Sequence, residues 1–378
     1  MADTKSMKRI AGFDQLRFIL ALWVMLPHCQ LVPDFSGQPY TSVIDLAFRA
    51  FVNNLFNPVA AVIVFFVISG FCIHLPYRDQ PRVALAPYFT RRFVRILTPM
   101  AAAFLLAIPL KVEFPLFSDT ILWSLVCEEI YYLLYPALRR VAARIGWKRL
   151  FGIAFVVAFG LALTTLNKYD VMHGIYPAFG PHLNWLLGLP CWLLGCLLAE
   201  QLDSFISVKV TAKQIWLWRF IVWAVTWVCS VLKFHSPIGY PLTLNVFAVL
   251  AFFWLQQEIA YHQSKRPLPL LEKAGAWSYS IYLIHLHAQA IYLLLALPAL
   301  IMPFGWLVHL TFLLVTCYLF YLMIEAPSHR LARRLSKQVG SALTKRALPT
   351  PSPAIRNGDR ELAGDVALEP ATTEVLNS

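Results

Sequence analysis

Arg17 and His28 stand eleven positions apart in Arg17-Phe-Ile-Leu-Ala-Leu-Trp-Val-Met-Leu-Pro-His28, the first strongly apolar segment of the chain. Ionisable side chains at membrane depth are costly, so their default reading is functional. On a helix this spacing is almost three turns, which sets both side chains on one face ~16 Å apart along the axis. One residue then sits near one membrane surface and the other approaches the opposite surface, an arrangement suited to holding something long. Histidine titrates near neutrality and needs little tuning to act as a general base. The competing reading is an arginine snorkelling at the start of the helix and an unrelated interfacial histidine.

Four further stretches carry polar chemistry in apolar surroundings. In Trp123-Ser124-Leu-Val-Cys-Glu128-Glu129-Ile-Tyr-Tyr132 the adjacent carboxylates point about 100° apart, while Ser124 and Glu128 share a face. A carboxylate within reach of His28 would orient its ring and stabilise the imidazolium; a Glu pair satisfied elsewhere in the bundle is the alternative. Arg91, Arg92 and Arg95 lie at helical spacing, and their planar forks suit a phosphate, although most such clusters simply anchor a helix at the cytoplasmic surface. Ser69-Gly70 permits close helix approach, and Ser69 could also line a narrow ligand path; His74, a turn further, reads as interfacial. Ser278, Tyr282 and His285 form one polar stripe, either an interhelix network or a ligand channel.

These residues need a membrane scaffold to position them. The chain has 378 residues, 59% hydrophobic and only 14% charged, with a mean hydropathy of +0.61; a soluble domain carries about a quarter charged residues. An all-α integral membrane protein follows. Runs of about 20 apolar residues predict ten spans, near 14–31, 55–76, 94–111, 121–138, 150–166, 183–200, 214–232, 238–256, 276–297 and 304–324. Pro99 and Pro109 interrupt the third, and the Glu pair sits in the fourth. Basic residues alternate with these spans. Arg78, Arg82, Arg91, Arg92 and Arg95 fall in one predicted inner segment, and Arg139, Arg140, Arg144, Lys148 and Arg149 in the next. The predicted outer loops hold only Arg49, Lys111, Lys168 and Lys233. The positive-inside rule then puts both termini in the cytoplasm, and the net charge of +12 belongs to loops facing anionic headgroups rather than to nucleic acid.

The basic N-terminus reads as a retained first helix, since no small-residue cleavage site follows it. The seven cysteines are scattered, with neither metal-ligand nor disulfide spacing. Residues 1–337 read as the membrane domain. Residues 338–378, polar and rich in Ala, Pro, Thr and Glu, read as a disordered cytoplasmic tail.

Taken in order, the segments resemble the acyltransferase-3 family of polytopic membrane acyltransferases. The matching pieces are Phe13-Asp14-Gln15-Leu16-Arg17 with the gap to His28, Phe65-Phe66-Val67-Ile68-Ser69-Gly70-Phe71, and Arg91-Arg92-Phe93-Val94-Arg95-Ile96. Then come Trp123-Ser124-Leu125 with Glu128-Glu129 and Tyr131-Tyr132, Ser278-Tyr279-Ser280-Ile281-Tyr282-Leu283-Ile284-His285, and Ile324-Glu325-Ala326-Pro327. The resemblance implies transfer of an acyl group, usually acetyl, from cytoplasmic acyl-CoA to a hydroxyl of a glycan or small molecule, with no permanently bound cofactor and no metal. It implies Arg17, His28 and Glu128 as essential residues, with Glu128 ranked above Glu129 because relatives often keep only the first. Arg91, Arg92, Arg95 and Ser69 are then expected along the coenzyme A path, and Glu129, Ser124, Tyr282 and His285 around the acceptor. A bacterial inner membrane and a surface-polysaccharide acceptor, or its lipid-linked precursor, fit this picture. The rival class is a transporter or flippase using the same buried polar residues, although no internal repeat supports it.

Overall fold

The computed structural model describes residues 10–32, 41–113, 122–164, 174–295 and 305–347. The N-terminal basic residues Lys5, Lys8 and Arg9, the loop residue Lys168 and positions 348–378 lie outside them.

Every described element is helical, and each of the ten apolar segments carries a helix. The long helices are α1 (Phe13–His28), α3 (Pro58–His74), α4 (Leu85–Leu110), α5 (Leu122–Ile145) and α6 (Trp147–Leu163). They continue with α7 (Asn184–Glu200), α9 (Ala212–His235), α10 (Tyr240–Ser264), α12 (Ser278–Leu294), α13 (Gly305–Phe320) and α14 (Ala326–Ala347). Shorter helices are α2 (Val43–Asn53), α8 (Leu202–Phe205) and α11 (Pro269–Ala274). By length and composition five continuous helical runs can cross a membrane, or six if the bent pair α5 and α6 counts as one. Helices α1, α7 and α12, of 16 or 17 residues, fall short of the ~20 that a full hydrocarbon core requires.

Helices α3 and α7 are the centre of the fold. Nearly every residue of α7 is buried, the mark of a helix apolar all round. The two pack backbone to backbone: a Cβ on Gly70 would lie 2.0 Å from the Trp192 carbonyl oxygen, and one on Gly195 would lie 2.0 Å from that of Val67. The small residues read from the sequence as a close-approach device act as one. Around this pair, α1 packs on α3, α11 and α12, while α10 packs on α9, α7 and α3. The outer helices keep large apolar side chains exposed, among them Val156, Trp216, Phe220 and Leu307, as a bundle solvated by lipid would.

Several local expectations change. Pro99 and Pro109 do not break α4, which runs unbroken for 26 residues. Pro99 is itself buried, so neighbouring helices supply the packing that its missing hydrogen bond would have provided. Helix α2 was not foreseen. Ser42 caps it by accepting a 3.1 Å bond from the Asp45 amide, and Arg49 pairs with Asp45 one turn on at 2.6 Å. His74, at the end of α3, is buried within the bundle at 1% exposure, held between the Tyr135 hydroxyl at 3.0 Å and Glu200 at 2.6 Å. Between α5 and α6 the axis bends by 115° at Gly146, whose φ of +85° favours a residue without a side chain. Helix α14 passes the boundary drawn at residue 338 and ends at Ala347.

Candidate active site

His28 ends α1, and its ring partner is on α12. His28 Nδ1 lies 3.1 Å from His285 Nε2, and the two ring planes are within 6° of parallel. His285 is fully buried, whereas His28 is exposed. The far side of His285 fixes the direction of the bond. Its Nδ1 sits 3.0 Å from the Ile281 carbonyl oxygen and 2.9 Å from that of Tyr282. Carbonyl oxygens only accept, so Nδ1 carries the hydrogen and, in a neutral ring, Nε2 is the acceptor. His28 then donates from Nδ1, and its Nε2 is left with a free lone pair. The arrangement follows the logic of a base whose tautomer is set by a partner on its other nitrogen.

Of the two places open to Glu128, beside His28 or elsewhere in the bundle, the structure shows the second: the ring partner of His28 here is His285. Glu128 joins a separate relay. The Trp192 indole donates to Ser69 Oγ at 3.3 Å, Ser69 meets the Tyr132 hydroxyl at 2.9 Å, and Tyr132 donates to Glu128 Oε2 at 3.4 Å. Ser69 is thus engaged in holding Tyr132 and Glu128 in place. Ser124 faces the histidine pair indirectly: its hydroxyl meets that of Tyr282 at 2.6 Å, and Tyr282 supplies one of the carbonyls that His285 bonds. The stripe on α12 therefore divides, with the Ser278 hydroxyl donating to the Gly275 carbonyl in the turn just before the helix.

The guanidiniums converge on a second locus. Arg17, from α1, bonds Asp14 one turn earlier at 3.4 Å and keeps 27% of its side chain exposed. Arg17 and Arg95 both lie within electrostatic reach of Glu128, Glu325 and His329. Arg17, Arg92 and Arg95 all act on Cys72 of α3. Of the three α4 arginines, Arg91 is exposed and Arg92 and Arg95 are half-buried, so a helix face rather than the whole triplet turns inward. Arg95 Nε donates to His329 Nε2 at 3.0 Å. That nitrogen is consequently unprotonated, and the 3.6 Å approach of His329 to Glu325 is a contact between a neutral ring and a carboxyl.

Two groups beside these arginines lack partners. Both carboxyl oxygens of Glu129, and Nε of Arg92, are buried without a hydrogen-bond partner among the described residues. Buried polar groups are nearly always paired, so such orphans mark where a ligand's polar atoms would fit.

The sequence reading missed Glu325 as a site component. It is 1% exposed and closes a one-turn π-helix, Tyr321–Glu325, an insertion that often re-aims a functional side chain. Its Oε2 accepts from the Ser280 amide at 3.1 Å and the Ser280 hydroxyl at 2.5 Å. Glu325 thus caps the start of the helix that carries His285, while lying within electrostatic reach of Arg95 and Arg17. A carboxylate closing an apolar run was the available signal. No group of three or more metal-ligating side chains occurs among the described residues.

Comparison with known proteins places the chain in a family. The chain is 24% identical over 313 residues to acyltransferase MdmB of Streptomyces mycarofaciens, covering 73% of this chain and 78% of that protein. No solved structure matches it. A family profile for an acyltransferase domain matches residues 10–325, which takes in both histidines, the convergent arginines, the Glu pair and Glu325, so the chain belongs to the acyltransferase-3 family of multi-pass membrane acyltransferases.

Proposed function

We propose that this protein moves an acetyl or other short acyl group from cytoplasmic acyl-CoA to a hydroxyl of a surface polysaccharide or its lipid-linked precursor, with His28 as the general base. The observation that carries this reading is the directed bond from His28 Nδ1 to His285, which leaves His28 Nε2 free to take a proton. His28 Nε2 accepts the proton of the acceptor hydroxyl as its oxygen attacks the thioester carbonyl. The tetrahedral intermediate collapses, the C–S bond breaks, and the imidazolium returns its proton to the departing thiolate. His285 is a positioning residue that fixes the tautomer and orientation of His28.

The donor lies along α1. Coenzyme A phosphates rest against Arg17, Arg92 and Arg95, with Arg91 at the rim, and ~16 Å of helix separates Arg17 from His28, a distance a pantetheine arm spans. The unpartnered Glu129 carboxyl and Arg92 Nε supply hydrogen bonds to this arm or to the acceptor. Glu128, presented through Tyr132, binds the acceptor rather than the base. Ser124 and Tyr282 shape the acceptor side. This division requires a bundle that crosses the bilayer ten times with both ends in the cytoplasm, in a bacterial inner membrane. A small-molecule hydroxyl is the alternative acceptor, and the same chemistry serves it.

The test is acetyl-CoA turnover by detergent-purified protein, with glycan O-acetylation scored in producing cells. His28→Ala should lose turnover by roughly 100- to 10,000-fold, the usual contribution of a general base, while remaining monodisperse. Turnover equal to wild type would remove His28 from the chemistry.

A further inference from the structure

A cavity of about 260 Å³ opens between α1, α3, α9 and α10, on a different face of α1 from Arg17 and His28. Its walls include Trp23 of α1, Ala61 of α3, Trp216 and Val222 of α9, and Trp254 of α10. From Trp216 to Thr226 is ten residues, so this wall runs ~15 Å along α9. An apolar cavity of this size stays dry, and an empty one would forfeit the dispersion contacts of its lining. Among lipid-facing helices, the available filler is a hydrocarbon chain.

Two polar features narrow the occupant. Arg219 lines the same cavity. One edge of its guanidinium is spent on Glu258, Nε to Oε1 at 2.7 Å and Nη2 to Oε2 at 2.9 Å, and Trp254 also donates to Oε1 at 2.9 Å. Glu258 is thereby neutralised at 1% exposure. The remaining nitrogen of Arg219, Nη1, has no hydrogen-bond partner among the described residues. Its two N–H groups suit a phosphate oxygen. Trp23 lines the same cavity, its indole N–H is buried without an acceptor among the described residues, and an ester carbonyl would satisfy it. A bare alkane matches neither donor, whereas a phosphate-bearing lipid ester matches both.

We infer that this cavity holds one acyl chain of a phospholipid from the surrounding bilayer, its phosphate on Arg219 Nη1. The lipid wedges α9 and α10 against α1, so the helix bearing Arg17 and His28 is packed partly against lipid. The inference rests on the membrane character of the family and not on the acyl-transfer mechanism, and its test reads bound lipid rather than turnover.

Full-length protein in mild detergent would be exchanged into vesicles of phosphatidylethanolamine and phosphatidylglycerol, re-extracted, and weighed by native mass spectrometry. Wild type should retain one phospholipid per chain. Ala61→Phe, which fills the cavity from α3, and Val222→Phe, which fills it from α9, should each lower retention at least tenfold while staying monodisperse. Diacylglycerol, which keeps the chains and esters but lacks the phosphate, should be retained at least tenfold less than phosphatidylglycerol. Wild type retaining no lipid, a filled variant retaining as much as wild type, or equal retention of diacylglycerol would each overturn the inference. So would a lipid-linked glycan as the retained species. If both filled variants fail to fold, wild-type retention and the diacylglycerol comparison decide the matter alone.

Discussion

The reactive end of the site turns on which nitrogen of His28 carries the hydrogen. Two backbone carbonyls of α12 decide that, because they oblige His285 to donate from Nδ1 and accept at Nε2. Replacing His285 by leucine keeps the volume broadly apolar but removes the acceptor, so His28 samples the unproductive tautomer. Turnover number should fall by roughly 100-fold or more, within the range of general-base contributions, with the KM for acyl donor nearly unchanged. A merely structural role would move KM and thermal stability together. Arg92 and Arg95 belong to the other end. Arg92→Ala should instead raise the KM for acetyl-CoA about tenfold, the order expected for a lost charge-assisted hydrogen bond, with a smaller effect on turnover number. A variant that lost turnover number alone would put Arg92 outside donor binding.

Helices set these residues in place through a few close contacts. The α3–α7 seam brings Ser69 to Trp192, and the packing of α5 on α3 brings Tyr132, with Glu128 one turn before it, to the same serine. Gly70→Ala would force a methyl against the Trp192 carbonyl, with backbone on both sides and nothing flexible to yield. Overpacking of this kind costs about 1–3 kcal/mol. Thermal unfolding in detergent should show the loss, while Gly160→Ala, where a Cβ meets nothing within 4 Å, should not. Helix α12 depends on a cap from outside itself. Glu325→Ala would strand the Ser280 amide and hydroxyl, at about 1–3 kcal/mol for the buried group. Because His285 rides on the same helix, acyl transfer should fall along with stability. Stability unchanged within error would show that α12 needs no such cap.

Across the whole molecule, the charge alternation read from the chain is a statement about which loops meet which aqueous phase. In a cysteine-free, functional background, Arg82→Cys and Lys209→Cys should react with an impermeant maleimide only after the cells are opened. Lys111→Cys and Ser236→Cys should react on intact cells once the outer envelope is permeable. Lys111 and Arg82 labelling from the same side would break the ten-crossing plan at α4. That helix is the point of greatest strain for the plan, since it carries two internal prolines and leads into residues 114–121, outside those described.

Much of this was legible in the chain itself. Composition alone demanded a helical membrane protein, because a backbone in hydrocarbon must satisfy its own hydrogen bonds. The order of the motifs named the family, and helical spacing set Arg17 and His28 on one face. Ser69-Gly70 announced a close helix contact by lacking side-chain bulk. Other features could not be read from sequence, because they join residues far apart in the chain. His285 lies 257 positions from His28, and no local period relates them. Whether Glu128 reaches His28 was open in the sequence, because spacing along each helix leaves the rotation of one helix against another free. Glu128 meets Tyr132 one turn along its own helix, and the packing of α5 against α3, which joins Tyr132 to Ser69, ties that pair into the bundle. The burial of His74, the capping of α12 by Glu325 and the cavity that Arg219 lines likewise arise only where separate helices meet. Sequence determined which side chains were costly enough to need a purpose, and tertiary packing decided which of them could touch.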